Sequence, residues 1–155
     1  MVSVRIVKRE EEQILNNLLQ KYLYEMSQFF DDNMDADGNY PYQYLPLYFT
    51  DNDRSAYFIY DNDELIGFAL INAYSLTDEK IDNCIAEFTI FPIYRNEGRG
   101  MAAVDALVKE RSGKWQLKYV TMNRPAEHFW NKVRERYNGD VVPMSECGRI
   151  VEFEP

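Results

Sequence analysis

The chain has 155 residues, 46% of them hydrophobic and 15% aromatic, enough apolar surface for one core, and residues 1–155 are read as a single domain. Its formal net charge of -9 argues against nucleic acid or an anionic membrane as partner, because phosphates would be repelled. No apolar run approaches the ~18 residues of a membrane span, and Met1 to Glu12 lacks a signal-peptide pattern, so a soluble cytoplasmic protein is expected.

In chain order, Val2-Ser-Val-Arg-Ile-Val7 alternates apolar and polar residues as a half-buried strand does. Ile14, Leu15, Leu18, Leu19, Tyr22, Leu23, Met26, Phe29 and Phe30 recur at three- and four-residue steps, predicting an amphipathic helix from Glu10 to Phe30. A short helix is expected near Tyr42 to Phe49. Ala56–Tyr60 and Leu65–Ile71 flank Asp61-Asn-Asp-Glu64 and read as a hairpin. Cys84-Ile-Ala-Glu-Phe-Thr-Ile-Phe91 is a further strand, stopped by Pro92.

A helix then runs to about Arg111, with Met101, Val104, Leu107 and Val108 on one face and Gly113 as its stop. Trp115–Thr121 is a strand. Asn123 is placed to cap the next helix, Pro125 suits its first turn, and Ala126, Phe129, Trp130, Val133 and Tyr137 line one side before Asn138-Gly139. Val141–Met144 and Arg149–Phe153 make a closing hairpin.

Charge is unevenly spread. Asp31 to Glu64 holds nine acidic residues against one base, Arg54, which accounts for eight of the nine excess negative charges. Such a run is either a solvated loop or a face for cations. Within it, Asn33-x-Asp35-x-Asp37-Gly38 has the opening rhythm of a calcium loop, but the twelfth position is Tyr44 and Pro41 falls inside, so no metal is expected. Cys84 and Cys147 show no CxxC spacing, His128 is the lone histidine, and both thiols are expected to be reduced and structural.

The turn between the fourth strand and the next helix carries the most chemistry. Gly98-x-Gly100-x-x-Ala103 reads as a dinucleotide fingerprint: glycines let the backbone approach a phosphate, and helix N-terminal amides point at it. A Rossmann site also needs an acid at the end of the following strand, and Tyr119-Val-Thr-Met-Asn-Arg124 offers none. The longer run Phe91-Pro-Ile-Tyr-Arg95-Asn-Glu-Gly98-Arg-Gly100 resembles the pyrophosphate loop of the GCN5-related N-acetyltransferase (GNAT) family. Asn123-x-x-Ala126-x-x-Phe129-Trp130-x-x-Val133 resembles a second motif of that family, and the element order agrees across practically the entire chain.

This resemblance implies an α/β fold of the α+β type: a central, mixed, mostly antiparallel twisted sheet of about six to seven strands with a splayed parallel pair, flanked by helices on both faces. It implies acetyl-CoA as co-substrate, an amine as acceptor, no metal, and a monomer or homodimer. Arg95, Asn96, Glu97, Gly98, Arg99, Gly100 and Met101 would form the pyrophosphate cradle, mainly through backbone amides. Phe88, Thr89 and Ile90 would pair with pantetheine, and an amide near Ile90 would polarise the thioester carbonyl. Asn123 would either touch the pantetheine arm or simply cap its helix.

Glu87 is the candidate general base, since an acid inside an apolar strand asks for a reason; the competing reading is a carboxylate on the strand's exposed face. Trp130 stands where many family members carry a tyrosine that protonates the leaving thiolate, so it is read as part of the cofactor-binding wall or plain core. His128 lies off the apolar stripe and is read as a surface residue. The acceptor wall is expected from Phe29 to Phe49, with Phe30, Tyr40, Tyr42 and Tyr44 beside the acidic run, a composition suited to a cationic amine. A non-catalytic acyl-CoA sensor is the alternative function: it would keep the loop and lack a competent base.

Overall fold

A computed structural model describes residues Met1–Pro155. Seven strands, β1 (Val2–Ile6), β2 (Arg54–Asp61), β3 (Glu64–Asn72), β4 (Asn83–Ile90), β5 (Trp115–Val120), β6 (Asp140–Pro143) and β7 (Gly148–Phe153), form one sheet in the order β1-β2-β3-β4-β5-β7-β6. All neighbours are antiparallel except β4 and β5. Three helices, α1 (Glu12–Met26), α2 (Arg99–Glu110) and α3 (Arg124–Arg136), complete the fold.

The helices divide between the two faces of the sheet because the central strands are apolar on both. Ile59, Ile66, Ala69, Ile85, Leu117 and Val151 pack under α2 and α3, which contribute Val104, Leu107, Trp130 and Val133. On the opposite face Ala56, Phe58, Phe68 and Leu70 pack under Leu15 and Leu19 of α1 and under Leu45 and Tyr48. The β2–β3 hairpin turns through Asn62, whose left-handed φ of 55° suits a tight connection.

Two helices are shorter than their apolar patterns imply. α1 stops at Met26 rather than Phe30: the Ser27 hydroxyl donates to the Tyr24 carbonyl at 2.6 Å and the Gln28 amide to that of Glu25 at 2.8 Å, satisfying last-turn carbonyls with side chains. Phe29 and Phe30 thereby leave the helix. The expected helix from Tyr42 shrinks to a 3-10 turn over Leu45–Phe49, with Pro46 in its opening turn.

Two irregularities of β4 shape everything that follows. Its ladder with β3 slips between Leu70, which faces Glu87, and Ile71, which faces Ile85, so Ala86 is an extra residue. Period-2 alternation would put Ile85 and Glu87 on one face. The bulge instead turns Glu87 to the side of Leu70, the α1 face, and corrects the alternative reading of a carboxylate on an exposed face. The second irregularity is the parallel seam, where Asn83, Cys84 and Ile85 pair with Trp115, Gln116 and Leu117 and no further pair follows. Beyond Ile85 the strands part.

Candidate active site

The parting of β4 and β5 opens a cavity of about 1430 Å³. Ala86–Ile90 forms one wall, Leu117–Val120 the other, and the end of α1, residues 95–101 and the start of α3 surround them. From Ala86 onward the β4 edge that faces β5 has no strand partner.

At one end of the cavity the chain leaves β4 through Pro92–Tyr94 and enters α2. Asn96 (φ 67°) and Gly98 (φ 80°) take left-handed conformations two residues apart, the alternation that curls successive amides into a concave nest. A residue with a Cβ is strained at Gly98, which is why glycine stands there. The backbone N–H groups of residues 96 to 101 donate to no other group of the protein. With the N-terminus of α2 behind them, they are built to receive an anion. Gly100 has a different reason: a Cβ there would stand 2.8 Å from the Phe129 ring of α3, so its absence lets the two helices close on each other.

The side chains of the turn look elsewhere. Arg95 donates through Nε to the Ile90 carbonyl at 2.6 Å and through both terminal nitrogens to Glu25 at 2.8 Å, stapling α1 to the end of β4. Arg99 pairs with Asp61 at 2.9 Å and with Glu97 at 2.5 Å. Arg95, Asn96, Gly98, Gly100 and Met101 line the cavity, whereas Glu97 and Arg99 do not. Sequence reading placed all seven together because spacing along a loop says nothing of where each side chain turns.

Glu87 lies mid-cavity on the α1 face. Burial pushes its carboxyl up to about 7, against the opposing pull of the Lys118 ammonium and the Tyr42 hydroxyl. Glu25 lines the same cavity and goes the other way: its Arg95 partner holds it below the usual carboxylate range. Tyr22 and Tyr42 are held protonated, chiefly by burial and then by the Glu87 charge. A carboxyl poised near neutrality, ringed by hydroxyls, can take a proton from a group presented in this cavity.

Phe88, Thr89 and Ile90 follow along the open edge. Phe88 stacks on Phe129 with ring centres 5.7 Å apart and meets Trp130 edge-on at 5.3 Å. Trp130 is core and cavity wall at once, 8% exposed. The Asn123 side chain accepts from the Ala126 amide at 3.2 Å, so the capping role expected of it is made, and it lines the cavity as well. His128 is exposed at the rim.

Of the expected acceptor wall, Phe30, Tyr40 and Tyr42 line the cavity and Tyr44 does not. Tyr44 instead lies against the Arg54 guanidinium, 5.1 Å from its ring centre, within a tyrosine box completed by Tyr48 and Tyr74. The acidic run is likewise drawn elsewhere. Among its nine acids Asp32 alone lines the cavity; Asp51 pairs with Arg54, Asp61 with Arg99, and Asp35 accepts from the amides of Asp37 and Asn39 in a turn. The Asp35 carboxylate thus closes the turn that carries the calcium-like spacing. Cys84 is buried and its thiol pushed up to about 11, while Cys147 is exposed, contrary to a structural role for both. Sequence reading missed Tyr22 and Lys118; a lysine flanked by Leu117 and Tyr119 in an apolar strand was the available signal.

The sheet thus opens at its parallel seam beside a nest of free amides, the arrangement that the resemblance to acetyltransferases implied. A profile of the acetyltransferase (GNAT) family matches residues 16–134, and the chain belongs to that family, which makes it an acyltransferase enzyme. Its fold is similar to an acetyltransferase from Thermus thermophilus, with TM-score 0.73 at 14% identity over 100% of this chain and 97% of that one. PaiA N-acetyltransferase of Thermoplasma acidophilum, solved in complex with coenzyme A, gives 0.62 at 12% over 100% and 99%. Arabidopsis thaliana Naa50, solved with the bisubstrate analogue CoA-Ac-MVNAL, gives 0.62 at 14% over 99% and 99%. No curated protein matches the sequence. No helix is long and apolar enough to cross a membrane.

Proposed function

We propose that this chain transfers an acetyl group from acetyl-CoA to an amine by direct attack within a ternary complex. The observation that carries the reading is the run of unpartnered backbone N–H groups at residues 96 to 101, opening onto the unpaired edge of β4. Those amides would grip the diphosphate of the coenzyme, and the free edge from Ala86 to Ile90 would hydrogen-bond the pantetheine arm as another strand does. Family membership supports acetyl-CoA as the donor, as does the coenzyme A bound to the Thermoplasma relative.

The amine nitrogen attacks the thioester carbonyl as its C–N bond forms, and a backbone N–H of β4 near Ile90 steadies the developing oxyanion. Glu87, ionised above about 7, accepts the proton the amine sheds. The C–S bond then breaks. Trp130 has no proton suited to the thiolate, and a thiol of pKa about 8.5 leaves as the anion and is protonated by water. Release of free thiol from acetyl-CoA over a panel of amines tests this. Glu87→Gln should abolish the rise in kcat/KM with pH, and Gly98→Glu should abolish coenzyme binding by calorimetry. A Gly98→Glu protein that binds acetyl-CoA normally would remove the nest from the mechanism.

A further inference from the structure

The charge of the acceptor follows from which charged groups reach the open seam, and this inference rests on the transferase reading above. Trp115, Leu117 and Tyr119 point into the core under α2 and α3, so Lys118, between them on β5, points to the opposite face. Glu87 is on that face too, through the bulge that pairs it with Leu70. The two therefore flank the same opening from its two walls. Lys118 is exposed to the cavity, and its ammonium has no hydrogen-bond or ion-pair partner.

The remaining charges do not balance it. Glu25 is committed to Arg95 in a two-point pair, and Asp32 lies exposed at the rim. Lys132 adds further positive charge to the lining, while Arg124 is paired with Glu127 at 3.3 Å. A polyamine acceptor would bring a second cation beside Lys118, with only Asp32 at the rim left unpaired to meet it beyond the base itself, which is unfavourable in a partly desolvated cleft. Of the acidic run, Asp51 and Asp61 are paired with Arg54 and Arg99, and Asp32 alone reaches the lining.

We infer that the acceptor is a small amine bearing an acid group, a carboxylate or a phosphate, which seats on Lys118 while its amine faces Glu87. The acid group makes a charge-assisted hydrogen bond to the lysine, and the amine, one or a few bonds away, is thereby aimed at the base.

Matched pairs of amines test it by thiol release from acetyl-CoA: β-alanine against propylamine and tyrosine against tyramine for the carboxylate, phosphoethanolamine against ethanolamine for the phosphate. The wild-type protein should favour the acid-bearing member of at least one pair by about tenfold in kcat/KM, the size of one charge-assisted contact, and which pair responds separates the two acids. Lys118→Met should erase that preference through KM, and Lys118→Glu should invert it, with KM for acetyl-CoA and thermal midpoint unchanged. Equal use of both members by the wild type, an equal fall for both in Lys118→Met, or no turnover of any member while acetyl-CoA still binds would each overturn the inference. Loss of acetyl-CoA binding itself would instead bring down the transferase reading.

Discussion

β4 meets its two neighbours in opposite ways. On the β3 side it is bonded from Cys84 to Ile90, so closely that a Cβ on Gly67 would lie 2.1 Å from the Thr89 carbonyl oxygen. On the β5 side it is bonded as far as Ile85 and then stands free. An unpaired strand edge is ordinarily a liability. Here the sealed edge, with the Arg95 clasp at its end, holds the strand in place so that the other can stay bare. The lesson is that rigidity and access have been assigned to different sides of one strand.

The most severe way to break this contrast is at the sealed edge. Gly67→Ala forces backbone apart between β3 and β4 and should cost more than about 3 kcal/mol, read as a collapse of the thermal midpoint or loss of soluble protein. Retention of a wild-type midpoint would show that the seal is loose.

Next in size is Glu87→Gln, on the bare half. It should lower kcat by a factor of about 10² to 10⁴ and remove the ionisation near 7 from the pH profile. Stability should move the opposite way. Because burial raises this carboxyl to about 7 from 4.5, the folded state holds a proton that the unfolded chain has released, so its ionisation costs stability as pH rises through that window. At pH 8 the Gln variant should be more stable by about 2–3 kcal/mol, and at pH 4 the difference should vanish. Chemical denaturation at the two pH values measures it.

Arg95→Ala sharpens the comparison by loosening only the end of the sealed strand. It unties Glu25 and the Ile90 carbonyl together and should cost about 1–2 kcal/mol, with KM rising for acetyl-CoA and for the amine if both bind against that corner as proposed. Glu25→Gln is the mildest change. The depressed Glu25 carboxyl contributes stability that is present above its unfolded value near 4.5 and lost as pH falls through its folded value, so the variant should lose under about 1 kcal/mol at neutral pH and show a flatter acid limb.

Most of the fold was legible because its signals are local: the apolar period of α1, the Pro92 stop and the Asn123 cap each act within a few residues. What escaped depends on partners far along the chain or on a single irregular residue. Arg95 finds Glu25 seventy positions away, and Arg99 finds Asp61 thirty-eight away, partners that spacing along the loop cannot reveal. Ala86 shifts the register by one and changes the face on which Glu87 emerges, which strict alternation cannot foresee. The acidic run is divided for the same reason, since Arg54 and Arg99 claim Asp51 and Asp61 from outside the cavity.

The Gln20 side chain holds Tyr40 at both ends of its peptide, accepting from its N–H at 2.6 Å and donating to its carbonyl at 2.9 Å. One amide on α1 thus does for residues 31 to 41 what a neighbouring strand would do, without adding that segment to the sheet. If the proposed acceptor wall holds, replacements in that segment would alter the amine side of the cavity while the nest at residues 96 to 101 stays untouched.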